Sequence, residues 1–387
     1  MSRIKINVKN RKTGKETIFG DEYLPVVFPY GLGPTTSTVD EELNKINIAE
    51  KFNADMVKDN TIGRKEWLEL IRRVREKTDL CVAGSATITA ANMVFCREDQ
   101  PRANPTEQDF YKAFETLSQY CDAIEVFPTI TLEGIEKINH SDRLMKNSIS
   151  RAGDIISRYM HEEKKENPFF SDFDWFLDES KKNDVTLILG NGYRPGCLHD
   201  SLDVLQMYEI DLMRQFADKA VKKGVGIVAG IYGHTKYDLN TLKAIRETIE
   251  IPIGGLGPLL TDIGIGYDHL NAAIGTVMLR EYIDWVSLIT PAEHTSLPSL
   301  RDCQDGMTAI NLARHILDLM KGKGYERDLK LSEARGKLDW ESMREQSINP
   351  YSVKWEEIGV RQKSPCTLCG AWCPLLYKNN SEKNKGT

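Results

Sequence analysis

The sequence predicts an α/β fold, a (β/α)8 TIM-type barrel followed by a helical segment and a short cysteine-rich tail. Two observations carry this. Short β-branched runs alternate with amphipathic helical spacing from about residue 35 to 320, which is the rhythm of parallel strands joined by crossover helices. Three of the eight cysteines, Cys366, Cys369 and Cys373, crowd together near the end of the 387-residue chain, while the other five are scattered. A chain of this length suits two domains, or one large barrel with an appendage.

The elements follow in order. Residues 1–34 read as an N-terminal extension. A T-x-x-E capping box at Thr38 and Glu41 opens the first helix, with Val39, Leu43, Ile46 and Phe52 on one face. Strands are expected at Ala54–Asp59, Leu80–Ala86, Ala123–Thr129, Met145–Arg151, Val185–Asn191, Val225–Gly230, Ile251–Gly257 and Trp285–Pro291. Between them fall helical stretches at Glu66–Lys77, Thr106–Tyr120, Asp174–Asn183, Leu202–Lys223 and Asn240–Thr248. The fourth strand is weak, because MKNSISR holds few apolar residues, and this leaves seven or nine strands open. The barrel thus occupies 35–300. A helical segment covers 301–350, with a long helix at Asp302–Lys321 and a charged stretch at Leu329–Ser347 that packs through Trp340 and Met343. Residues 351–387 form the cysteine tail, ending in a polar run, KNNSEKNKGT, expected to be disordered.

Composition narrows the function classes. With 51 Lys and Arg against 57 Asp and Glu, the net charge is −6, which argues against phosphate-backbone binding as the main task. No apolar run approaches the roughly 20 residues that span a bilayer, and the N-terminus lacks the apolar core of a signal peptide. A cytoplasmic, soluble protein that binds neither nucleic acid nor membrane is expected. Cysteines in such a chain read as thiols rather than disulfides.

The tail reads Cys366-Thr-Leu-Cys369-Gly-Ala-Trp-Cys373. A structural zinc site wants four protein ligands, and no His or Cys follows Cys373. A [4Fe–4S] cluster normally takes four cysteines; three leave one iron open. An open iron able to bind the amino and carboxylate groups of S-adenosylmethionine is what its reductive cleavage to a 5′-deoxyadenosyl radical requires. A redox CxxC pair, a zinc site completed in three dimensions, and plain exposed thiols are the alternatives.

From about Gly31 to Cys373 the chain resembles the family of phosphomethylpyrimidine synthase (ThiC) and its anaerobic relative, 5-hydroxybenzimidazole synthase. Six motifs carry the likeness in the family's order: Ile149-Ser150-Arg151-Ala152-Gly153, Asn191-Gly192-Tyr193-Arg194-Pro195-Gly196, Gly233-His234, the run from Gly257 to Ile263, Gly266-Tyr267-Asp268-His269, and Thr290-Pro291-Ala292-Glu293-His294. The cysteine triplet closes the series. The resemblance implies a radical S-adenosylmethionine lyase acting on 5-aminoimidazole ribonucleotide or a similar phosphorylated imidazole, with an iron–sulfur-cluster tail. It also implies an external electron donor, and a homodimer or a heteromer with a paralogue. Like the hydroxybenzimidazole enzyme, this chain starts almost at the barrel.

Each motif follows a strand candidate, at the barrel end where active sites are built. Ser150, Arg151 and Ala152 fit a phosphate contact through hydroxyl, guanidinium and backbone N–H groups. Asn191, Gly192, Tyr193 and Arg194 match a segment that contacts the ribonucleotide, with Arg194 able to fork onto phosphate. The bland alternative is a structural loop in which Gly192 and Gly196 relax the backbone. His234 and His294 match the family's two-histidine site for a divalent metal, zinc or iron. His269 reads as structural, with Asp268 or Asp262 orienting a neighbour. His140, His161, His199 and His315 have no such context.

The departures matter as much. Asn191 stands where the family has Asp, and Gly230 where it has a catalytic-pocket Glu. Pro29, Lys58, Thr89 and Phe127 replace substrate-contacting Asn, Met, Tyr and His, and the CxxCxxxC spacing is one residue short of the thiamine enzyme's. Three readings follow: a hydroxybenzimidazole-synthase-like enzyme of anaerobic cobamide lower-ligand synthesis, thiamine pyrimidine synthesis with relocated contacts, or a non-catalytic partner subunit of a paralogue.

Overall fold

The computed structural model describes residues 4–34, 37–96, 104–146, 148–358 and 364–376; the expected disordered run after Tyr377 lies outside them. The chain divides into two compact units, Met1–Ile310 and Asn311–Thr387.

In the first unit, β1 (Ile6–Lys9) and β2 (Glu16–Phe19) form an antiparallel hairpin. Eight parallel strands then close a barrel: β3 (Val26–Tyr30), β4 (Met56–Asp59), β5 (Cys81–Ser85), β6 (Ala123–Val126), β7 (Thr186–Leu189), β8 (Ile227–His234), β9 (Ile253–Leu259) and β10 (Trp285–Ser287), which returns to β3. The strands are short and buried on both faces, as parallel strands between a packed lumen and a helical shell must be. Val27, Met56, Cys81, Ala123, Val228 and Trp285 make an apolar layer that packs against Ile6, Val8 and Phe19 of the hairpin. The hairpin therefore plugs one end of the barrel and leaves the other for a site.

Two expectations are corrected. The described residues of 145–151 hold no strand. Ser150 instead caps a helix over Arg151–Glu163, accepting from the Gly153 N–H. Its buried residues, Ile156, Tyr159 and Met160, follow helical spacing. The missing strand is β3, inside the expected N-terminal extension, so the barrel begins before residue 35. VVFPY is short and contains Pro29, which hides a strand from pattern reading.

The first helix, Val39–Lys51, has the expected reciprocal cap: Thr38 N–H donates to Glu41 Oε2 at 2.8 Å and Glu41 N–H to Thr38 Oγ1 at 3.3 Å. The long terminal helix spans Leu300–Met320. In the second unit the charged stretch forms two helices, Tyr325–Gly336 and Trp340–Gln346. Met343 is buried there and Trp340 Nε1 donates to the Ser364 carbonyl at 2.8 Å. No helix among the described residues is long and apolar enough to cross a membrane.

Candidate active site

A cavity of about 780 Å³ opens at the C-terminal ends of the barrel strands and lies wholly within the first unit. His234 ends β8 and His294 follows β10, so two strand ends bring the imidazoles together. Their Nε2 atoms face each other at 3.5 Å. The far nitrogens are both held by carboxylates: His234 Nδ1 meets Asp262 Oδ1 at 2.7 Å, and His294 Nδ1 meets Asp268 Oδ1 at 3.1 Å. A carboxylate on Nδ1 keeps the proton there and turns the Nε2 lone pair outward. Two nitrogens bound tetrahedrally at about 2.0–2.1 Å from one ion lie about 3.3 Å apart. The pair therefore fits a divalent cation, with the remaining positions left to water or substrate. Among the described residues no third His, Cys, Asp or Glu completes the set. His269 lies outside this arrangement; burial lowers its pKa and its Nδ1 has no partner.

A second cluster is cationic. Ser150 and Ala152 open the Arg151–Glu163 helix, and Ser150, Arg151, Ala152, Asn191 and Arg194 all line the cavity. The two segments are drawn close by small residues. Ser148 Oγ donates to the Gly192 carbonyl at 2.6 Å, and a Cβ on Gly153 would collide with Ser148. Burial lowers the pKa of both guanidiniums, while Glu293 acts in the opposite direction on each. Glu293 lines the same cavity, and burial raises its carboxyl against the pull of Arg194. The helix N-terminus adds partial positive charge beside the two guanidiniums. This end of the cavity suits an anion.

The remaining expected contacts fall differently. Tyr193 is fully buried and its phenol packs against Gly134, while Gly192 sits against Ile130; neither faces the cavity. Both are held from behind by Glu209, which accepts from Tyr193 N–H at 3.1 Å and from Thr129 Oγ1 at 2.7 Å. Burial raises Glu209 to about 7. Asn191 turns its amide to the Tyr232 carbonyl at 3.1 Å. Thr89 is buried in the helix Ala86–Phe95 and does not line the cavity, whereas Pro29, Lys58, Phe127 and Gly230 do.

The sequence reading quoted Glu293 within the motif that ends at His294 but gave it no role, and it did not single out Glu125. Nor did it give a role to Trp285 Nε1 or Thr290 Oγ1, two buried polar atoms without hydrogen-bond partners on residues that line the cavity.

In the second unit Cys366, Cys369 and Cys373 share one short loop, and all eight cysteines are free. Gly370 N–H donates to the Cys366 carbonyl at 2.9 Å, which turns the chain back on itself. Backbone N–H groups of Cys369 and Leu368 lower the Cys366 thiol pKa. Cys369 is raised by lost hydration and by the other two sulfurs. Three cysteines at this spacing are the donor type an iron–sulfur cluster takes, but in this structure the three sulfurs, like every other trio of His, Cys, Asp or Glu among the described residues, are not gathered into a set that could hold a metal ion. The buried thiols contrast with the triplet: burial pushes Cys81 up to about 11 and Cys303 to about 12, which leaves them inert.

The sequence matches the Radical SAM ThiC family over residues 3–380. This chain belongs to that family. Membership makes it a radical S-adenosylmethionine enzyme and implies a [4Fe–4S] cluster together with S-adenosylmethionine. It is 34% identical over 360 residues to the phosphomethylpyrimidine synthase of Archaeoglobus fulgidus, covering 89% of this chain and 82% of that one. It is 35% identical over 363 residues to the phosphomethylpyrimidine synthase of Desulforamulus reducens, again covering 89% and 82%. Among solved structures, a dihydropteroate synthase from Stenotrophomonas maltophilia matches at a TM-score of 0.46 and 10% identity, over 82% of this chain and 98% of that one.

Proposed function

We propose that this radical enzyme rearranges 5-aminoimidazole ribonucleotide, or a similarly phosphorylated imidazole, in a reaction of the 5-hydroxybenzimidazole synthase type. The carrying observation is one cavity that holds an anion-binding end, built by Arg151, Arg194 and a helix N-terminus, and an opposed imidazole pair. Cys366, Cys369 and Cys373 would hold the cluster, which supplies the electron that cleaves S-adenosylmethionine. His234 and His294 would hold a divalent ion, zinc or iron. Ser150, Arg151, Ala152 and Arg194 would anchor the phosphate and fix the ribose in place.

Asn191 and Gly230 favour a product other than the thiamine pyrimidine. Neither presents an anion to the cavity, so a protonated aminoimidazole lacks the two carboxylates of the thiamine pattern there. The names of the relatives favour the other reading, phosphomethylpyrimidine synthesis. Association with a second copy or a paralogue belongs to the same proposal. It is supported by an exposed apolar stripe, Leu270, Ile274 and Met278, on the Asp268–Met278 helix.

Mass spectrometry of complete anaerobic reactions tests it: reconstituted protein, reductant, S-adenosylmethionine and 5-aminoimidazole ribonucleotide, with and without a paralogue. We expect 5′-deoxyadenosine and a benzimidazole-type product. Phosphomethylpyrimidine at catalytic turnover from this chain alone overturns the reading.

A further inference from the structure

The barrel floor carries an ion pair that the fold does not need. Lys58 of β4 and Glu125 of β6 meet across β5, with side chains 16% and 11% exposed. Each points inward one step above the apolar layer, over Met56 and Ala123 respectively. Between them β5 presents Ala83 beside Lys58 and Ser85 beside Glu125, both small enough to leave their path open. Taking two charges out of water is costly, and a pair of well-packed apolar side chains usually serves stability as well or better. Backbone ladders already join β4 to β5 and β5 to β6 without either side chain.

The pair is also open on one side. Lys58 and Glu125 both line the cavity, and Glu125 lies close enough to Arg151 and Arg194 to raise the pKa of each. Apart from the charged groups of the cavity, Arg151, Arg194, Lys45 and Glu293, the lining includes apolar Pro29, Phe127 and Ile188, Gly230 without a side chain, and Asn191 with its amide turned to a carbonyl. A molecule anchored by its phosphate at the arginines would meet this donor–acceptor couple with its other end.

We propose that Lys58 and Glu125 form a specificity-determining pair that reads the edge of the substrate's heterocycle. The Lys58 ammonium donates to a bare ring nitrogen or oxygen, and the Glu125 carboxylate accepts from an amino or ring N–H group. An aminoimidazole presents both, an exocyclic amine and an unsubstituted ring nitrogen. The inference rests on the phosphorylated-heterocycle reading of the cavity and adds the groups that select the ring.

Calorimetric titration of the full chain tests it with two probes, 5-aminoimidazole ribonucleotide and ribose 5-phosphate. Wild-type protein should bind the nucleotide more tightly than the sugar phosphate. In Lys58→Met/Glu125→Met, nucleotide affinity should fall by about 10- to 100-fold while ribose 5-phosphate affinity stays unchanged. Thermal melting of that variant should match or exceed wild type, because no charge is left unpaired. The reversed pair, Lys58→Glu/Glu125→Lys, keeps an ion pair but exchanges donor and acceptor; it should lose nucleotide affinity with its fold intact, and carries the comparison if the methionine variant melts early. Wild-type nucleotide affinity in a folded variant overturns the inference, as does equal wild-type affinity for the two probes. Wild-type protein that binds neither probe defeats the phosphorylated-substrate proposal itself, and this inference with it.

Discussion

Neutralising Asp268 tests the imidazole pair at its support rather than at its ligands. The Asp268 side chain is 3% exposed and accepts from His294 Nδ1 at 3.1 Å, whereas Asp262, holding His234 at 2.7 Å, is 40% exposed. Asp268→Asn keeps the shape and an accepting oxygen but removes the charge that makes His294 a stronger donor to a cation. Carboxylates in this position change metal affinity by about 10- to 100-fold, or about 1.4–2.8 kcal/mol. The buried partner should fall at the upper end of that range. Water screens Asp262, so Asp262→Asn should cost about 10-fold or less. Competition with a chromophoric chelator, for zinc and for ferrous iron, measures both. Equal effects of the two substitutions would refute the screening argument. Unchanged affinity in Asp268→Asn would refute the assignment of the histidine pair as a metal site, and it would leave the carboxylates as loop supports.

Further outcomes follow from the same geometry. Arg194→Ala should weaken ribose 5-phosphate binding by about 10-fold or more, read by calorimetry, and should uncouple S-adenosylmethionine cleavage from product formation. Cys369→Ala should abolish a complement of about four irons per chain after anaerobic reconstitution; stoichiometric zinc without iron in the wild type would contradict the cluster. Glu209 gives a pH signature. Its carboxyl rises from an ordinary 4.5 to about 7 on folding, chiefly through burial, so folding favours the protonated form. That stabilisation is complete below about pH 4.5 and is lost as pH climbs through 7, a change of about 3 kcal/mol. Glu209→Gln should therefore gain stability relative to wild type between pH 5 and 8 in denaturant titrations, and a pH-independent difference would show that Glu209 stays charged.

The sequence made the barrel legible where strand and helix patterns were regular, and it failed where a local signal was overridden. VVFPY forms a strand because β10 and β4 offer it partners on both sides, information that a five-residue window containing Pro29 does not hold. The run ending in Ser150-Arg151 looked like a polar strand because its helix starts at Ser150, and the apolar face lies further on at Ile156, Tyr159 and Met160. The helices Ala86–Phe95 and Asp268–Met278 went unseen for a different reason. The first is buried almost all round and the second exposes apolar residues, so neither shows one apolar stripe and one polar stripe.

The site divides along the same line. The histidine pair and the cysteine triplet stand out in sequence by residue type and spacing alone. Residues whose chemistry depends on direction do not. Gly192 and Tyr193 share a motif with Arg194, yet the loop turns them into the packing and leaves the guanidinium at the cavity. Glu125 sits in an ordinary buried strand, and only the barrel's register sets it across β5 from Lys58. Motifs therefore mark the histidine pair and Arg194 in the cavity, while its floor must be read from three-dimensional register. Lys58, Asn191 and Gly230 all lie on that cavity wall. Under the proposed reading, the arginine end of the cavity would hold the substrate's phosphate and this floor would select its ring, a division that lets one barrel serve more than one reaction.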